Sequence, residues 1–167
     1  MVTSFMYHVC DTIEGPLWLS EGQWHRLDNI GSIMSFVMWG IHLMDIRHQV
    51  LERYMQYFFL SMVLIFQEKD PWNKWNSVVP VASSLTVLLL SFALRRRIPR
   101  YNLQQFRRGL ILLLCGVGCF VRGLEDETDP FRIFHGCWHG FVGAAAYYNL
   151  KVLPDRDDML LPIKRLD

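Results

Sequence analysis

In the stretch FRIFHGCWHG, residues 131–140, two histidines stand four positions apart in an apolar, aromatic run. On a helix, side chains at i and i+4 have Cβ atoms about 5–6 Å apart, close enough to share one metal ion. His135 and His139 are therefore either packed core histidines or half of a metal site whose other ligands lie elsewhere in the chain. A third imidazole would leave one position of a tetrahedral zinc open, the arrangement of catalytic rather than structural sites. Magnesium and calcium prefer carboxylate oxygens, so an imidazole set makes Zn2+ the expected cofactor.

The elements that must position such a site are long apolar runs: Leu27–Asp45, Leu51–Phe66, Ser77–Leu94, Phe106–Val121 and Phe131–Leu150. A bilayer core asks for about 20 mainly apolar residues per helix, with about 17 as a lower bound. Three runs reach that range, and flanking residues that snorkel to the interface lengthen the other two. A soluble bundle fits poorly, because SVVPVASSLTVLLLSFAL lacks the polar stripe of a surface helix. The expected fold is all-α: a polytopic membrane bundle of five spanning helices plus a partial N-terminal helix. Residues 1–150 are expected to form the transmembrane domain and 151–167 a cytosolic tail. The opening segment MVTSFMYHV is too short to cross a bilayer, and Gly15-Pro16 ends it. The chain is thus expected to begin partway through a spanning helix, with a surface-lying segment as the alternative. No cleavable leader is expected, since polar residues follow Met1 almost at once.

Net charge is +1 at 167 residues, which suits one domain and gives no reason to expect a nucleic-acid partner. Basic residues are unevenly distributed. Arg47 and Arg53, the group Arg95, Arg96, Arg97, Arg100, Arg107 and Arg108, and the tail residues Lys151, Arg156, Lys164 and Arg165 fall on one side of the predicted spans. The positive-inside rule puts that side in the cytosol and the alternate loops outside or in a lumen, in the plasma membrane or a secretory-pathway membrane. Trp18, Trp24, Trp72 and Trp75 fall in or beside the outer loops, as an interfacial belt does. Cys115 and Cys119, one turn apart, read as small packing residues. Cys137 lies two positions from each histidine and points away from them.

Ionisable residues at matching depth mark the rest of the site. Asp129-Pro130 predicts the start of the last helix, which puts His135 about 7 Å and His139 about 13 Å below its outer end. Ser20 and Gln23 predict a capping box, which puts Asp28 about 10 Å below the same side. A first helix ending near Glu14 leaves His8 about 10 Å down, with Ser4 one turn deeper. His42, Asp45 and His25 read as hydrated interfacial groups, Glu125–Asp129 as a solvated loop, and Asp11 as a neighbour of His8 outside the ligand set.

Ser-x-x-x-His on one helix, Asp28 on the next and His-x-x-x-His on the last is a pattern that resembles the CREST superfamily of membrane hydrolases and receptors. SFMYHVCD and WHRLDNIGSIMSFVMWG look most like the branch containing myomaker and the GPI-specific phospholipase A2, over residues 1 to about 150. The resemblance implies a seven-helix fold, zinc ligation by His8, His135 and His139, and catalytic roles for Ser4 and Asp28 around the metal-bound water or the reacting carbonyl. Against that pattern the chain is expected to lack the first helix and half of the second, and the tail residues 151–167 carry no cysteine for lipidation. The expected activity is hydrolysis of an ester or amide in a membrane lipid, with GPI-anchored or glycerophospholipid esters as the implied substrates. The rival expectations are a receptor or assembly factor with a structural zinc, and an inactive short isoform.

Overall fold

The computed structural model describes residues 2–13, 15–96, 98–123 and 133–154. Among them the chain is all-helical: α1 (Val2–Ile13), α2 (Glu21–Leu43), α3 (Gln49–Lys69), α4 (Trp75–Arg95), α5 (Leu103–Arg122) and α6 (Ile133–Leu150). Each apolar run becomes one helix, and α3, α4 and α5 extend theirs by one to three residues at each end. The extension is largest in α2, which starts six residues before its apolar run because the capping box at Ser20 forms as expected. The Ser20 hydroxyl accepts from the Gln23 amide at 3.3 Å, and the Gln23 side chain accepts from the Ser20 amide at 2.9 Å. The start expected at Asp129-Pro130 and the tail beyond Pro154 lie outside the described residues.

The helices fall into two compact packing units, Met1–Ile98 and Pro99–Asp167. In the first, α2 is the hub, meeting α1, α3 and α4, while α3 also packs on α4. Each of these three longer helices buries residues one turn apart: Ile33, Val37 and Ile41 on α2, Phe59, Val63 and Gln67 on α3, and Pro80, Ser84 and Leu88 on α4. A four-residue spacing keeps such residues on one side of a helix. Gly40 lies where α4 crosses α2, and a Cβ there would stand 2.6 Å from the Ser84 hydroxyl oxygen, which would have to turn away.

Pro80 has no amide hydrogen and cannot bond the carbonyl of Asn76, four residues earlier. The fully buried Gln67 of α3 supplies the missing donor, its Nε2 lying 3.2 Å from that carbonyl oxygen. A carbonyl left open by proline in one helix is thus satisfied by a side chain of its neighbour.

The second unit is the antiparallel pair α5 and α6. Two glycines of α5, two turns apart, let the helices approach. A Cβ on Gly116 would meet Trp138 at 3.2 Å and Phe141 at 3.3 Å, and one on Gly109 would overlap the Asn149 amide. The far end is closed by the Asn102 amide donating to the Val152 carbonyl at 2.8 Å.

Among the described residues one helix, Trp75–Arg95, is long and apolar enough by length and composition to cross a membrane. The other four helices of 18 or more residues include charged or polar side chains at one or both ends, such as Arg26 and Asp28 in α2 and Glu68 and Lys69 in α3.

Candidate metal centre

The histidine pair is built by α6 alone. Trp138, Phe141 and Ala145 form the stripe that α5 packs against, and Asn149 continues it. At 100° per residue His135 and His139 stand about a quarter-turn round from that stripe, and both are half-buried. Their Nε2 atoms lie 3.2 Å apart, with ring centroids 5.0 Å apart and planes at 64°. Two nitrogens bound to one tetrahedral zinc at about 2.0–2.1 Å stand about 3.3 Å apart, so the observed separation suits a shared ion. It equally suits one ring donating a hydrogen bond to the other, with the tautomers set accordingly. Cys137, between them in sequence, is exposed, as its position on the helix requires.

The other expected residues belong to the first unit. Ser4 is buried on α1, and His8, one turn on, is half-buried with the Tyr7 ring 4.8 Å from its own. The Thr12 hydroxyl donates to the His8 carbonyl at 2.8 Å. Asp28 is half-buried on α2, the helix against which α1 packs. Asp11 is exposed. The acidic residues 125–129 lie outside the described residues.

Two expectations about the aromatic and histidine residues near this end need correction. His25 is no simple hydrated group. Its ring stacks on Trp72 at 3.8 Å and 12°, and Tyr7 closes on it at 5.0 Å. Trp24 is buried with Met6 and Cys10, its indole Nε1 donating to the Leu17 carbonyl at 2.9 Å, so it anchors the α1–α2 turn instead of joining an interfacial belt. Trp18, Trp72 and Trp75 are exposed. No local signal marks the His25 stack, because Tyr7, His25 and Trp72 come from three separate segments.

The described residues thus define an all-α protein with a metal-capable histidine pair on one helix. The chain belongs to the family described as "Protein of unknown function (DUF3522)", whose profile matches residues 1–140. That stretch takes in Ser4, His8, Asp28, His135 and His139. No curated protein and no solved structure matches the chain.

Proposed function

We propose that this chain is a multi-pass membrane protein of the CREST type, a zinc-dependent hydrolase of membrane lipids whose zinc ligands are, as the resemblance implies, His8, His135 and His139. The observation that carries the reading is the 3.2 Å separation of two imidazole nitrogens within an apolar helix. Imidazole is a preferred zinc ligand, and histidine inside an apolar helix is costly unless it has a task.

Membrane residence is supported by outward-facing apolar side chains well beyond α4. Phe58 and Ile65 on α3, Leu85 and Leu89 on α4, and Ile111 and Leu114 on α5 are all exposed. A soluble protein seldom leaves so much large apolar surface to water. Helices of 20 to 23 residues, as α2 to α5 are, rise about 30–35 Å, the thickness of a bilayer core. In this reading α2–α6 cross the membrane, the arginine-rich connection before α5 faces the cytosol, and the site opens to the extracellular or lumenal side.

When bound, zinc supplies Lewis acidity and a water of near-neutral pKa. The protein's own residues do the rest. Asp28 accepts the proton that the attacking water gives up as its oxygen bonds to the carbonyl carbon. Ser4 donates its hydroxyl hydrogen to the carbonyl oxygen as negative charge gathers there. Collapse breaks the acyl bond, and the proton held by Asp28 passes to the departing oxygen or nitrogen. The outer-leaflet substrate is a GPI-linked or glycerophospholipid ester, on the strength of the resemblance alone.

Metal analysis of the purified full chain tests this. About one zinc per chain is expected, with His135→Ala reducing it and Asp28→Asn retaining the metal but losing fatty-acid release from phospholipid. Equal zinc in wild type and His135→Ala would sink the site. Normal zinc without any lipid turnover would instead identify a structural metal in a receptor or assembly factor.

A further inference from the structure

Between α2 and α3 lies a groove of about 560 Å³ lined by Arg26, Ile30, Leu64, Ile65, Glu68 and Lys69. These six residues form three pairs at i, i+4: Arg26 over Ile30, Glu68 over Leu64 and Lys69 over Ile65. One helical turn, about 5.4 Å, therefore separates a charged tier from an apolar tier. The charged tier lies towards the start of α2 and at the end of α3. The Asn29 side chain donates to the Pro71 carbonyl at 2.8 Å and ties these two ends together beside the groove.

Arg26 pairs with Glu68 through Nη1, while its Nε is buried with no hydrogen-bond partner among the described residues. Lys69 is exposed at the rim. Two cations and one carboxylate leave a single positive charge, which one phosphodiester neutralises. Ile65 and Leu64 are exposed beneath, at 68% and 45%, an apolar wall open from the side. Charge above and hydrocarbon below match a lipid at the edge of a bilayer, with phosphate at the interface and chains beside the helices.

We propose that this groove binds an anionic diacyl phospholipid, its phosphodiester between Arg26 and Lys69 and an acyl chain along Ile30, Leu64 and Ile65. The proposal rests on the membrane reading above and is independent of the zinc site. The headgroup competes with Glu68 for Arg26, so the carboxylate tunes affinity downward. This gives the site a signature that a nonspecific lipid coat lacks: loss of a cation weakens binding, and loss of the anion strengthens it.

The test is titration of the full chain in nonionic detergent with dioctanoyl phosphatidylglycerol. Lys69→Gln is expected to weaken binding about tenfold and Glu68→Gln to tighten it several-fold, as charge-assisted hydrogen bonds dictate. Both side chains are exposed, so neither variant strains the fold. Equal affinity in wild type and both variants overturns the proposal. So does equally tight binding of dioctanoylglycerol, which lacks phosphate, or of glycerol phosphate, which lacks chains. Carbonate washing of membranes separates the two readings. Release of the wild-type chain would defeat membrane residence and the groove together, whereas retention with unaltered variant affinities would defeat the groove alone.

Discussion

Two imidazole nitrogens 3.2 Å apart cannot both point lone pairs at each other without cost, so either a proton or a cation stands between them. If a cation does, His139→Ala should lose metal as fully as the His135 variant, because one imidazole of a helical pair holds zinc weakly. A His139→Cys variant should recover part of the zinc content, since thiolate is also a zinc ligand, and inductively coupled plasma measurement reads both. Gln67 offers a second test at this scale. Its side chain serves a carbonyl that Pro80 leaves open, so Gln67→Ala should cost about 1–3 kcal/mol. In a Pro80→Ala background the amide at position 80 returns to Asn76, and the cost of Gln67→Ala should fall. A double-mutant cycle in thermal denaturation measures the difference. Additive effects would separate the two residues.

The elements owe their ends to local chemistry and their contacts to small residues. Ser20→Ala removes a side-chain acceptor from the first turn of α2, and a loss of about 1 kcal/mol in thermal stability is expected. Gly116→Leu drives a branched side chain into Trp138 and Phe141, which already stand at contact distance from a modest Cβ. It should destabilise the α5–α6 pair by about 1–3 kcal/mol, while the equivalent change at Gly118, whose Cβ would meet nothing within 4 Å, should cost little. Comparing the two melting temperatures separates close packing from helix propensity.

For the whole molecule the proposed membrane residence makes a prediction about which loops share a side of the bilayer. A glycosylation sequence inserted in the α3–α4 turn, residues 70–74, should be modified in the endoplasmic reticulum, and one in the C-terminal tail should not. Modification of the tail alone would invert the orientation and move the proposed site to the cytosolic face. The six helices and the stagger of the histidine pair were legible in advance because they depend on short-range rules. Apolar runs bounded by Gly15-Pro16, a Ser20–Gln23 box and four-residue spacing need no knowledge of the partner helix. Helix ends were less legible: α2 and α3 run on into charged turns such as Glu21–Arg26 and Gln67–Lys69, where hydropathy falls before the backbone hydrogen bonding does.

What the amino-acid order could not reveal is which residues from distant segments meet. The Arg26–Glu68 pair joins positions 42 apart, His25 rests on Trp72, and Gln67 answers a vacancy created by Pro80. Such contacts depend on the rotation and axial offset of each helix against its neighbours, and a one-residue change in either turns a side chain by 100°. Periodicity within a helix is written in its own residues. Docking between helices is settled by packing each unit at once, with Gly40 permitting the close approach of α2 and α4 and Gly109 and Gly116 that of α5 and α6.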